Sequence, residues 1–222
     1  MKIFISYSWE NKNTVDEIDK FFNSKEISLV RDIRCTNYKD SFKEFMESIR
    51  ECDFVIIVIS DSYLKSTNCM YEVLELIKDK NYKKRILPVI LEDAKVFGEV
   101  DMIGYIKYWK TKYQNIVNES EDLYPEEKIS ISETLKIIRQ ITIEVGDFIS
   151  ILKEMKLIPY AELRESSFEA ILNIIYGYKA QDSFLYAENQ RDDNHVMIET
   201  NVKDNKGKIV SIIKNDGTVI IN

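Results

Sequence analysis

The run Val55-Ile-Ile-Val-Ile59 ends in Ser60-Asp61-Ser62, and Cys69 and Glu72 follow within an amphipathic helix pattern. A β-branched run of this kind reads as a strand buried on both faces. Ligands of open α/β sheets gather beyond the C-terminal ends of the strands. Glu72, on the first turns of the helix that leaves this end, is therefore either a reaction centre or an exposed acid favoured by the helix macrodipole. Cys69, three residues earlier, shares its helical face. That cysteine either lines a pocket or fills a small apolar gap.

Other chemistries are poorly represented. One histidine and three scattered cysteines (Cys35, Cys52, Cys69) form neither a zinc-type ligand set nor a paired disulfide framework, and they suit a reducing cytoplasm. No glycine-rich phosphate loop follows the first strand, and the acidic cluster of a metal-dependent receiver is missing. The formal charge of −7 argues against nucleic acid as a partner. The basic run Lys83-Lys84-Arg85 reads as a helix end or a solvated loop. No apolar run approaches the roughly 18–20 residues that span a bilayer, and Met1-Lys-Ile-Phe-Ile-Ser6 reads as a strand start, not a signal peptide. With 222 residues, 45% hydrophobic and 31% charged, the chain fits a soluble globular protein with a sizeable core.

The elements that must position Glu72 alternate. Lys2–Tyr7, Ile27–Val30, Asp53–Ile59 and Arg85–Leu91 read as strands. Pro88 puts the fourth near an edge or at a break. Between them the pattern predicts helices. The first runs from Asn13 or Thr14 to about Asn23, with Val15, Ile18, Phe21 and Phe22 inward, and the second starts at Ser41, with Phe42, Phe45, Met46 and Ile49 inward. The third runs from Tyr63 to about Lys80. Arg31–Asp40 reads as a charged loop. Four strand–helix alternations with short connections mean a parallel sheet covered on both faces. Beyond Leu91, Tyr105–Tyr113 predicts a helix whose aromatic face is core packing or a pocket border at Trp109, about Ile129 to Met155 a long helix, and Leu163–Tyr178 another. Residues 1–178 thus form the main domain. Residues 179–222 are a polar linker and a β-rich tail, with Asn215-Asp-Gly217 as a hairpin turn. Three such strands are marginal alone. His195 has no role.

Ile3-Phe-Ile-Ser-Tyr-Ser8, the charged loop after the second strand, Val58-Ile-Ser60 through Cys69-Met-Tyr-Glu72, and Arg85-Ile-Leu-Pro-Val89 stand in the order of a Toll/interleukin-1 receptor (TIR) domain. The chain resembles that family over roughly residues 1–115. The resemblance implies a flavodoxin-like α/β fold and, for the bacterial NAD-cleaving type, scission of the nicotinamide–ribose bond of NAD⁺ with Glu72 as the catalytic carboxylate. NAD⁺ would be substrate, with no cofactor. It places Ser8 and Trp9 beside the nucleotide, and matches Asp32–Asp40 to the mobile loop that shapes the pocket and TIR–TIR contacts, with Asp32 and Arg34 contacting ribose or phosphate, contacting a neighbouring TIR domain, or plainly solvated. Asn68 stands where the family has a tryptophan that stacks on substrate, and Tyr38-Lys39-Asp40 stands where the loop glycine is usual.

Nicotinamide leaves as a neutral molecule, so this cleavage needs little acid catalysis. What develops is an oxocarbenium-like ribose, which one placed carboxylate can stabilise. The expected protein is a cytoplasmic NAD⁺ glycohydrolase, giving ADP-ribose or a cyclic ADP-ribose, that acts in antiviral defence or immune signalling. Its expected partners are other TIR domains, by self-association, and a sensor protein. The alternative is a non-catalytic TIR adaptor, favoured by Asn68. A flavodoxin-like nucleotide or phosphate receiver is the weaker third reading.

Overall fold

The computed structural model describes residues 1–31, 51–155, 157–178, 198–203, 209–215 and 218–221. The expected helix from Ser41, the charged loop with Asp32, the linker, His195 and the turns of the tail lie outside the described residues. The chain divides into two units, Met1–Ala161 and Glu162–Asn222.

The first unit is built on five parallel strands, β1 (Ile3–Tyr7), β2 (Leu29–Arg31), β3 (Phe54–Ile59), β4 (Ile86–Ile90) and β5 (Ile158–Pro159), in the order β2-β1-β3-β4-β5. This is the flavodoxin-like order, with flanking helices. All six residues of β3 are buried, as an apolar run at the centre of such a sheet requires. Pro88 sits inside β4 opposite Ile57 without a break. The other edge of β4 is paired only at Val89 and Ile90, so the missing donor of Pro88 costs no ladder bond there.

The described helices of this unit are α1 (Lys12–Ser24), α2 (Asp61–Lys65), α3 (Thr67–Ile77), α4 (Tyr82–Arg85), α5 (Glu99–Glu119) and α6 (Pro125–Glu154). The pleat divides β1 between two faces. Phe4 joins one large core with Val55, Ile57 and Ile59 of β3, Met70, Val73 and Leu74 of α3, and Val145, Phe148 and Leu152 of α6. Ile3 and Ile5 are buried outside that cluster, as are Val15, Ile18 and Phe22 of α1. In α5, Tyr105 and Trp109 are buried, and Trp109 Nε1 donates to the Leu64 carbonyl at 2.9 Å. The aromatic face is core packing, and it satisfies a helix-end carbonyl of α2. Gly146 allows close approach of α5, since a Cβ there would lie 3.3 Å from Ile106.

Three expectations for the helices of this unit need correction. The single helix over Tyr63–Lys80 is two, because Ser66 is extended (φ −81°, ψ 124°) and its Oγ caps α3 by accepting from Cys69 N at 3.4 Å. Helix α1 begins at Lys12 after a 3₁₀ turn, Trp9–Asn11. Asn11 is its N-cap residue, but its side chain is occupied elsewhere. The long helix starts earlier than expected, at Pro125, whose missing N–H costs nothing at a first helical position. Glu127 also reaches back to Tyr124 N at 2.9 Å.

In the second unit Leu163, Phe168, Ile171, Leu172 and Ile175 are buried. The expected helix over Leu163–Tyr178 is broken at Ser167 and Phe168, which have φ of 52° and 53°. α7 (Tyr160–Glu165), which starts in the first unit, ends before that break, and helix resumes over 169–178. Strands β6 (Ile198–Lys203), β7 (Ile209–Asn215) and β8 (Thr218–Ile221) form an antiparallel meander, in which Asn215 pairs with Thr218. No helix among the described residues is long and apolar enough to cross a membrane.

Candidate functional site

In a sheet of this order the connections reverse direction between β1 and β3, which leaves a crevice beyond the C-terminal ends of those two strands. Tyr7 and Ser60 mark its two walls. A polar bridge ties them together. Ser60 is fully buried, and its Oγ donates to Asn11 Oδ1 at 2.6 Å and accepts from Tyr63 N at 3.0 Å. Ser62 Oγ donates to the same Asn11 oxygen at 3.2 Å. The turn after β1 and the turn after β3 are thereby held as one rim.

Glu72 lies on the second turn of α3, half-buried. Its Oε2 accepts from Ser6 Oγ at 2.8 Å, and Ser6 Oγ is 3.0 Å from the hydroxyl of Tyr63. Tyr63 is fully buried, and burial foremost, then Cys69 and Glu72, holds its phenol well above its usual range, so it stays protonated. Cys69 is buried, and its thiol donates to the Tyr7 carbonyl at 3.5 Å. Cys69 thus packs α3 against the end of β1.

The remaining expected site residues are placed less closely. Ser8 is buried at the start of the 3₁₀ turn, where its carbonyl accepts from Asn11 N at 2.8 Å. Trp9 is 63% exposed, a large aromatic presented at the rim. Asn68 is exposed on the first turn of α3. Asp32 lies outside the described residues. Across the rim, Tyr105 donates to Asp61 Oδ1 at 3.0 Å, and burial pushes its phenol upward. Lys112 Nζ donates to Thr67 Oγ1 at 2.9 Å and lies 4.7 Å from the Trp109 ring centroid. Its pKa is lowered by desolvation.

Four residues of this region escape a reading of the sequence: Ser6, Tyr63, Asn11 and Arg31. Arg31 is the clearest correction. Its charge assigns it to the loop after the second strand, yet it is the last residue of β2 and only 5% exposed. Its guanidinium donates to Asp16 at 2.6 Å, Asp19 at 3.4 Å and Tyr7 Oη at 3.0 Å, and lies 5.2 Å from the Tyr7 ring centroid. A charge is tolerated in such a place only when paired. One signal for Ser6 was available, since it shares the core-facing pleat of Phe4 and stands out there as polar.

The arrangement presents a half-buried carboxylate that accepts from Ser6 at the crevice of a parallel sheet. Such a group can bind sugar hydroxyls and stabilise positive charge developing on a ribose. Residues 3–119 match the family model described as TIR domain. Among solved structures, the chain is similar to the TIR domains in the structure of the activated Roq1 resistosome directly recognizing the pathogen effector XopQ, with 18% identity, a TM-score of 0.48, and coverage of 79% of this chain and 99% of that one. No curated protein matches the chain.

Proposed function

The chain belongs to the TIR domain family, and on that premise we propose that it is an NAD⁺ glycohydrolase whose catalytic carboxylate is Glu72. The observation that carries this reading is the Ser6–Glu72 hydrogen bond of 2.8 Å, which holds a half-buried carboxylate at the mouth of the sheet. In the reaction the N-glycosidic bond breaks, and its electron pair goes to the pyridinium nitrogen, so nicotinamide departs neutral. Glu72 stabilises the cationic ribose that remains. Water then adds at the anomeric carbon and loses a proton to give ADP-ribose, or an adenine nitrogen attacks to give a cyclic product.

Ser8 and Cys69 shape the pocket beside Glu72, with Asp32 and Asn68 as further substrate contacts, and the exposed Trp9 takes over the stacking that Asn68 cannot supply. The protein acts in the cytoplasm as an effector of defence or immune signalling, activated when a sensor clusters TIR domains. Nicotinamide release by concentrated or artificially clustered protein tests the proposal. Glu72→Ala and Glu72→Gln should each reduce it by at least about 100-fold, and full activity in both would remove Glu72 from the mechanism. A second reading, a non-catalytic adaptor working through TIR–TIR contacts, is favoured by the exposed Asn68 in the place of a stacking aromatic. It requires that no nicotinamide be released at any protein concentration.

A further inference from the structure

We infer that Ser6 is a positioning residue for Glu72, and that buried Tyr63 supports Ser6 by donating to it in turn. The inference rests on the reading of Glu72 as the catalytic carboxylate. Ser6 lies on β1 opposite Ile57 of β3, 4% exposed, on the same pleat as the core residue Phe4. A hydroxyl in such surroundings is costly unless bonded. It has one proton and two candidate partners, Glu72 Oε2 at 2.8 Å and Tyr63 Oη at 3.0 Å.

The chemistry of the partners settles the order. A carboxylate only accepts, so Ser6 must donate to Glu72. Its lone pairs are then left for Tyr63, which must be the donor in that contact. Tyr63 can always serve, because its fully buried phenol keeps its proton. The chain Tyr63→Ser6→Glu72 therefore runs one way, from the core beneath the sheet to the carboxylate at its mouth.

The consequence for function is orientation. Glu72 belongs to α3, whereas Ser6 belongs to β1, an interior strand paired on both edges, so the bond fixes a flexible side chain against the sheet. Positioned charge acts on a transition state without reorganising at the moment of reaction. Neither Ser6 nor Tyr63 needs to touch substrate for this. Loss of the bond should therefore appear in kcat with KM little changed.

A merely structural role would also destabilise a Ser6 variant, because Ser6→Ala strands the Tyr63 hydroxyl in the core. The double variant Ser6→Ala/Tyr63→Phe separates the two roles, since it removes the stranded hydroxyl without restoring the bond to Glu72. Nicotinamide release and thermal melting would be measured for wild type, Ser6→Ala, Ser6→Thr, Ser6→Ala/Tyr63→Phe and Glu72→Gln. The expected result is a drop in kcat of about tenfold or more in both Ser6→Ala proteins, with melting lowered in the single variant and recovered in the double one. Ser6→Thr, which keeps a hydroxyl on a β-branched strand residue, should recover most of kcat.

Recovery of kcat together with melting in the double variant would overturn the positioning role while leaving Glu72 in place. So would full activity in Ser6→Ala. An inactive wild type, or an active Glu72→Gln, overturns the glycohydrolase reading itself and this inference with it.

Discussion

Replacing Arg31 by methionine tests how the edge of the sheet is held to α1. The guanidinium is 5% exposed and contacts Asp16 at 2.6 Å, Asp19 at 3.4 Å and Tyr7 Oη at 3.0 Å. Methionine keeps an apolar stem of similar length and removes every polar contact. Breaking a buried ion pair costs about 3–5 kcal/mol when the partner stays buried and charged. Three features reduce that figure. The Asp16 side chain is 44% exposed, so its share falls toward the ~0–1 kcal/mol of a surface pair. Asp19 retains the amide hydrogen bond from Asn23 at 3.1 Å. The substitution also removes Arg31 Nε, a buried donor with no hydrogen-bond partner among the described residues.

The expected loss is about 2–3 kcal/mol for Arg31→Met. Urea melts of Arg31→Met, Asp19→Asn and the double variant measure it. The double variant should be more stable than the sum of the two single losses allows, with a coupling of about 1–2 kcal/mol. A loss under about 0.5 kcal/mol for Arg31→Met, or simple additivity in the double variant, would refute the reasoning.

Two further stability predictions concern the same rim. Ser60→Ala removes both the cap on Tyr63 N and the bond to Asn11, at an expected cost of about 1–2 kcal/mol in denaturant melts; an unchanged midpoint would show that the serine bridge carries no stability. The hydrogen bond from Arg31, and then that from Lys12, holds Asp16 below its ordinary value of 3.8. A carboxyl depressed on folding contributes stability that is present above its unfolded value and lost as pH falls through its folded value. Wild type should therefore exceed Asp16→Asn in melting temperature at neutral pH and lose that margin below pH 3.8. A margin independent of pH would contradict the assignment.

How much of this was legible in the chain follows from the range over which each signal acts. Apolar periodicity is local, and it places β1, β3, β4 and the inward face of α1 without reference to any distant residue. The position of Glu72 beyond β3 is local too, because a buried strand followed by a helix already puts the carboxylate at the C-terminal end of the sheet. Boundaries were less legible, for physical reasons. Ser66 looks like one more polar residue on a helix surface, and only its extended backbone shows that it ends one helix and caps the next.

The character of several polar residues depended on tertiary contacts alone. Arg31 carries a charge, and charge by itself points to solvent. Its burial became intelligible only when chain reversal brought it to Asp16, Asp19 and Tyr7. Asn11 could have capped α1, but the fold offers it Ser60 and Ser62 instead, across the crevice.

Hydrophobic period and strand–helix order are properties of neighbours along the chain, and they suffice for an alternating α/β chain with a carboxylate beyond its central strand. The tertiary structure alone decided what holds that carboxylate. Ser6 is far from Glu72 in sequence and Tyr63 lies on a separate helix, so no spacing rule connects the three; parallel pairing of β1 with β3 and the packing of α2 and α3 bring the side chains within hydrogen-bond reach.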